Sequence, residues 1–304
     1  MVPVAFLVSV AVFMIIHLTP GDPALIILGE DRTAESIVRI HHELGLDQPL
    51  WVQYWIWINH ILRGDFGRSI TTHQPVLGSI LERLPATLEL GLVALGWALL
   101  VAIPLGTIAA LRRGGIADLL ATGLAVAGVS IPNFFIGVVL IFVLSVSLHG
   151  AFPFGGYVPF AKDPYENLRH IILPAIALGT AGAAINMRFT RSSMIEVLEQ
   201  DYIRTARAKG ASWLRVVFVH ALKNALIPVV TIVGIQIGGI IEGAVITETV
   251  FTWPGVGRLA VESIFDRDYT VVQGIVLLAA FSYMAANLLV DIAYSWLDPR
   301  ITYS

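Results

Sequence analysis

Charge is so scarce in this chain that each ionisable side chain within an apolar stretch is a chemical candidate. Glu89, Glu242, Glu248 and Asp291 stand in or at the ends of such stretches. A charged group at the centre of a helix in lipid costs about 2.5–3.5 kcal/mol on insertion scales, so it belongs to a pathway, a relay or a buried pair. Glu242 is the first candidate to line a cavity. Glu248 lies roughly 240° further around the same helix, which suits a capping or pairing role instead. Glu89 fits either the outer interface or the pathway, and Asp291 fits the interface or a pair with an arginine. Thr231 and Gln236, in the same stretch as Glu242, complete the polar set for contacts along a pore.

Other chemistries are excluded by residue type. The chain has no cysteine, so disulfides, thiolate zinc and iron–sulfur clusters are out. His17 reads as a packing histidine rather than a ligand, and His41, His42 and His60 lack metal spacing, so no metal is assigned. Its lysines are Lys162, Lys209 and Lys223, none preceded by glycine. A Walker A loop needs Gly-Lys-Ser/Thr, so the chain carries no nucleotide engine of that type and is expected to bind no cofactor itself. Neither HExxH nor Gly-x-Ser-x-Gly lies within a span, which argues against an intramembrane enzyme.

The elements that must position these groups are membrane helices. Apolar residues make up 56% of the chain, charged ones only 13%, and the mean hydropathy is +0.78. A soluble chain carries about 25% charged residues. The net charge of −3 indicates no nucleic-acid partner. About 20 apolar residues cross a bilayer as a helix. Stretches free of Asp, Glu, Lys and Arg are Met1–Gly21, Leu90–Leu111, Leu119–Ala161 (a span plus a loop), His170–Met187, Asn224–Ile241 and Tyr269–Val290. The sequence therefore predicts an all-α membrane protein with six transmembrane helices. Pro174 and Pro228 fall near the starts of their spans, where proline is tolerated.

The domain organisation expected is a first transmembrane helix over 1–19, an external loop over 20–85, a transmembrane domain over 86–296 and a tail over 297–304. Arg112, Arg113, the cations between the fourth and fifth spans and Arg300 fall on one side. The positive-inside rule then puts both termini in the cytoplasm. Within the long loop, Asp31–Glu43 reads as a polar helix and Leu50–Leu62 as an aromatic amphipathic one, carrying Trp51, Tyr54, Trp55 and Trp57. Such a helix suits the membrane interface or a platform for an external partner. Gly234-x-x-x-Gly238 and Gly239-x-x-x-Gly243 allow close helix approach, either within the chain or against a second membrane subunit.

The internal loop 188–223 is far longer than a connection needs and carries Arg188, Arg191, Arg204, Arg207, Lys209, Arg215 and Lys223. Ser192–Tyr202 reads as a helix capped by Ser193 with Glu196 three residues on. Tyr202–Lys209 continues it, Gly210 stops it, and Ser212 starts Trp213–Ala221. Small side chains at Ala206, Ala208 and Ala211 would let another backbone approach. The two readings are a basic hairpin on anionic lipid and a plug for a cytoplasmic protein.

Ala206, Gly210 and Leu222 resemble the EAA loop of permeases of binding-protein-dependent ABC importers, with Arg204-Thr205-Ala206 for the first triplet, His220 for Ile and Lys223 for Pro. The wording is similar to the dipeptide/oligopeptide/nickel branch in Arg204–Gly210 and in His220-Ala221-Leu222-Lys223-Asn224-Ala225-Leu226-Ile227-Pro228. Further stretches of resemblance are Pro20–Pro23, Leu44–Leu50, Gly64–Ser69, Leu84–Leu90, Arg188–Met194, Thr252–Arg258, Arg267–Tyr269 and Leu297–Arg300. The chain departs at its start, without the basic lead such permeases carry, so either the start is placed late or a lead is missing.

The resemblance implies a type I ABC importer permease fold with a long external loop after the first helix, in the inner (cytoplasmic) membrane. It implies a second homologous permease, two cytoplasmic ABC ATPase subunits holding ATP and Mg, an extracytoplasmic solute-binding protein and the lipid bilayer as partners. Arg204, Thr205, Ala206, Arg207, Ala208, Lys209, Gly210 and Ala211 would form the coupling segment that the ATPases move. The substrate implied is a di- or oligopeptide, with nickel or another small solute as the alternative. A self-contained secondary transporter is the rival class. The hairpin and the lack of a repeat of broken helices speak against it.

Overall fold

The computed structural model describes residues 2–18, 33, 47–146 and 152–297. The expected Asp31–Glu43 helix, His41, His42, the Asp291 side chain and the tail beyond Leu297 lie outside the described residues. Among those described, the secondary structure is helical apart from one isolated bridge between Arg68 and Pro75. The chain divides into two compact units.

The first unit holds Met1–Pro85 and Gly255–Met284. Its helices are α1 (Val2–Leu18), α2 (Leu50–Leu62), the start of α3 (Val76–Leu111), α11 (Val256–Phe265) and the first part of α12 (Tyr269–Leu297). The aromatic helix α2 falls where the sequence placed it and lies against α1. Tyr54 Oη shares a hydrogen bond with Ser9 Oγ at 2.7 Å, and the Phe13 ring meets the edge of Tyr54 and the Trp57 ring. His17 bonds Gln53 Oε1 at 2.9 Å through Nε2 and Phe13 O through Nδ1, which is a packing role. Gln273 donates to the carbonyl of Val12. In the turn after α2, the Gly67 N–H and the His60 ring hold the Asp65 carboxyl below the usual carboxylate range. Asp268 accepts from Ser69 Oγ.

The second unit holds Ala86–Pro254 and Ala285–Ser304. It contains most of α3, then α4 (Ile116–Ser130), α5 (Asn133–Val146), α6 (Pro164–Leu198), α7 (Asp201–Ala208), α8 (Trp213–Ala225), α9 (Ile227–Gly238) and α10 (Ile240–Val250). α6 begins on a side-chain cap. Asp163 accepts from the N–H groups of Tyr165 and Glu166 at 3.1 Å, and Pro164 fills the first position, which needs no N–H. Glycines set the packing distances. A Cβ at Gly106 of α3 would lie 2.7 Å from the Met187 carbonyl oxygen of α6.

Among the described residues, three helices are long and apolar enough to cross a membrane: Val76–Leu111, Pro164–Leu198 and Tyr269–Val290. Two bent pairs, Ile116–Ser130 with Asn133–Val146 at 102° and Trp213–Ala225 with Ile227–Gly238 at 46°, bring the number to five. The first helix is apolar but shorter. Against the six expected from sequence, the described residues thus hold three candidate spans, or five if each bent pair is one span, beside one short apolar helix. Pro132 breaks the first pair, having no N–H to donate and disfavouring the helical conformation at Ile131. Pro228 sits in the first turn of α9, as expected.

The charge-free stretches understate the helices. α3 starts at Val76, inside the segment expected as loop, and runs through Pro85. α6 starts at Pro164 and makes Pro174 an interior residue. α6 also runs through Ser193 to Leu198, so the expected N-cap at Ser193 is not one; Gln200 precedes the next helix instead. A long helix carries its polar ends beyond the lipid, where charge costs little, so charge marks the edge of the bilayer rather than the end of the helix.

Candidate functional site

The basic hairpin is built on a turn whose backbone only glycine adopts readily. Gly210 has φ +82, the left-handed region in which other residues are strained. Its N–H bonds the Arg207 carbonyl at 2.9 Å and the Ala211 N–H bonds that of Ala206 at 3.2 Å. These are the two bonds of a Schellman ending. Ser212 then occupies the N-cap position of α8, though its side chain makes no capping bond.

Underneath, Ile203 is fully buried and packs with Ala110, Met194, Val216, Val217 and Ala221. It is the single inward anchor of α7, the other residues of that helix being exposed or half-buried. Arg204, Thr205, Arg207, Ala208, Lys209 and Gly210 are exposed, and Ala206 and Ala211 are half-buried. A Cβ at Gly210 would meet nothing within 4 Å, so this chain leaves space around it. The cations divide by partner. Arg207 stacks on the Trp213 ring at 4.5 Å and Arg204 pairs with Asp201 at 3.2 Å. Lys209 and Arg215 line an open cleft of about 390 Å³ with Tyr202, Thr205, Ala206, Gly210, Ala211 and His220.

The intramembrane candidates separate as well. Both oxygens of Glu89 are engaged: Tyr157 Oη donates to Oε2 at 2.9 Å and Asn167 Nδ2 to Oε1 at 2.6 Å. Burial and the Glu89 carboxylate push the Tyr157 phenol up to about 12. Glu89 is thereby a fastening for the segment before α6. Glu248 is fully buried and accepts from Thr87. Glu242, in the first turn of α10, is exposed. Gln236 accepts from Asn186 Nδ2 at 3.0 Å, and Thr231 bonds back to the Ile227 carbonyl. Gly234 lies tight against Val290, so the first glycine pattern packs within the chain, while Gly243 is exposed. Trp253 also lies inside. It is fully buried, donates to the Ala86 carbonyl at 2.9 Å and meets the edge of Tyr157. Among the described residues no cluster of side chains is suited to a metal ion.

Sequence reasoning passed over Ile203, Met194 and Asp118. The signal for Ile203 was present, since it is the one large aliphatic residue in Asp201–Lys209. Asp118 gave no such sign, because its partner Arg191 is remote in sequence.

Bent apolar helices, a buried polar lattice between them and a basic turn that the chain leaves uncovered define a helical membrane transport subunit. The chain matches the family described as "Binding-protein-dependent transport system inner membrane component" over residues 102–303, and its N-terminal companion over residues 1–91. It is 44% identical over 303 residues to the glutathione transport system permease protein GsiC of Salmonella typhimurium, covering 100% of this chain and 96% of that one. The GsiC protein of Escherichia coli K12 is 43% identical over the same span. The fold is shared with a chain of the MetNI methionine ABC transporter in inward-facing conformations (TM-score 0.52, 19% identity, 70% of this chain and 95% of that one). It is shared also with a chain of an amino acid ABC transporter solved with histidines (TM-score 0.50, 15% identity, 71% and 92%). The chain belongs to the binding-protein-dependent transport system inner membrane component family and is an inner-membrane permease subunit of an ABC importer.

Proposed function

We propose that this chain pairs with a second homologous permease to form the membrane pathway for di- or oligopeptides, a class that includes glutathione, the solute in the names of its relatives. ATP and Mg are held by two ATPase subunits in the cytosol, and the solute arrives on an extracytoplasmic binding protein. Both termini and the Arg188–Lys223 hairpin face the cytosol. Arg204–Ala211 is the segment the ATPases grip.

The observation that carries this reading is the Gly210 turn. A left-handed glycine, bonded on both sides and surrounded by open space, holds two helix ends at a fixed angle while leaving room for a groove to close around them. Lys209 and Arg215 supply charge for an acidic groove, and Ala206 and Ala211 the close approach. Glu242 supports the pathway assignment, because an exposed carboxylate on an apolar helix is costly against lipid and cheap against a water-filled passage. There it meets the ammonium of a peptide, with Gln236 and Thr231 on the preceding helix.

Gly210→Val in the assembled importer is expected to abolish uptake while the complex still inserts and assembles. Uptake and ATPase stimulation at the original level would remove the coupling role. The substrate is tested separately by melting shifts of the cognate binding protein with glutathione, dipeptides and nickel. A shift with nickel alone would replace the peptide reading.

A further inference from the structure

Asp118 and Arg191 form a two-pronged ion pair within the second unit. Arg191 Nε donates to Asp118 Oδ1, and Nη2 donates to Oδ2 at 2.8 Å. The Gly114 N–H donates to Oδ2 at 2.9 Å and Thr122 Oγ1 approaches Oδ1 at 3.4 Å. The Asp118 side chain is 9% exposed and that of Arg191 29%. A guanidinium whose Nε–H and Nη2–H each meet one oxygen of the same carboxylate fixes an angle as well as a distance. A part-buried pair of this kind contributes little over apolar packing to stability, and its better-attested use is to specify one arrangement.

The place of the pair is informative. Asp118 is in the first turn of α4, after the Arg112–Gly115 turn. Arg191 is one turn before Met194, which is fully buried against Ile203 beneath the coupling helix. Further along the same two helices, a Cβ at Gly128 would lie 3.2 Å from Ala184 Cβ. α4 is therefore seated on α6 by small residues and fastened to it at the end nearest the hairpin. Packing alone lets helices slide; the fork does not.

We infer that the Asp118–Arg191 pair makes α4, the end of α6 and the Gly210 hairpin a single moving body, with Asp118 a positioning residue for transport. This rests on the coupling role proposed for the hairpin. A displacement of the hairpin is then delivered to α4 rather than absorbed between the helices.

The test uses the complete importer and the absence of cysteine from this chain. Spin labels at Ile116→Cys and Leu214→Cys, both strongly exposed positions, are expected to give one narrow distance, the same with and without ATP. In Asp118→Asn that distribution broadens, and stimulation of ATP hydrolysis by the binding protein falls about fivefold or more. The exchange Asp118→Arg with Arg191→Asp restores the narrow distance; if Asp118→Asn does not assemble, this exchange is read alone, and a broad distance in it overturns the proposal. An unchanged distance in Asp118→Asn, or a wild-type distance that moves with ATP, does the same. If Gly210→Val leaves uptake intact while the distances behave as stated, the coupling role falls and the rigid body stands.

Discussion

Thr87 donates its hydroxyl to Glu248 Oε1 at 2.7 Å, and neither side chain reaches the surface. The bond ties α3 to α10 beside the turn in which the Trp253 N–H meets the Glu248 carbonyl. A buried acceptor that loses its donor keeps the desolvation cost, about 1–3 kcal/mol. Thr87→Val, which keeps the branch and removes the hydroxyl, should lower the melting temperature of the purified complex by that amount of stability. Glu248→Gln retains an acceptor oxygen and should cost less. Equal melting of Thr87→Val and the parent would show the bond to be immaterial.

Ile203 is the second point where one side chain decides a larger arrangement. Ile203→Ala removes the one fully buried residue of α7, at a cost of about 2–5 kcal/mol if the cavity stays open. Much of that loss should appear locally. Amide exchange over Asp201–Lys209 should accelerate while exchange within α6 stays slow. Uniform acceleration through both helices would mean that α7 is not held by this contact.

The two kinds of cation in the hairpin predict different salt behaviour. Arg207 is stacked on Trp213, a contact worth about 0.5–1 kcal/mol at an exposed site, so Arg207→Ala should loosen the turn to the same degree at low and high salt. Lys209→Glu reverses a charge in the open cleft. It should weaken attachment of the ATPase subunits strongly at low ionic strength and less at high, since exposed charges are screened. Pull-down of the ATPases across a salt series separates the two. Salt-independent loss in Lys209→Glu would place that lysine in packing rather than charge recognition.

Much of this was legible in residue order and some was not, for reasons that differ by residue. The Leu50–Leu62 helix and the Gly210 stop were readable because each depends on local chemistry: aromatic side chains at helical spacing, and a glycine after a polar helix. Helix lengths were misjudged because charge-free runs report the bilayer, while α3 and α6 continue past it. The partners of Glu89 and Glu248 were not readable from their neighbours in sequence. Only the fold supplies Tyr157 and Asn167 to one and Thr87 to the other. Non-local pairs such as Asp118 with Arg191 leave no periodic trace, so no single-sequence pattern could have announced them.

The Tyr157–Glu89 contact makes a prediction at alkaline pH. The Tyr157 phenol is pushed from 10.0 to about 12, chiefly by burial and then by its bond to the Glu89 carboxylate. The folded state thus prefers the neutral phenol. For a group whose folded pKa is raised, stability is fully present below the unfolded value and is lost as pH climbs through the folded one. Any advantage of the parent over Tyr157→Phe should therefore hold up to about pH 10 and fade between there and about pH 12. Ultraviolet titration of phenolate should show one late-ionising tyrosine that disappears in Tyr157→Phe and shifts earlier in Glu89→Gln, which loses the carboxylate charge. If the late step persists in Tyr157→Phe, another tyrosine is responsible and the raised pKa does not belong to Tyr157.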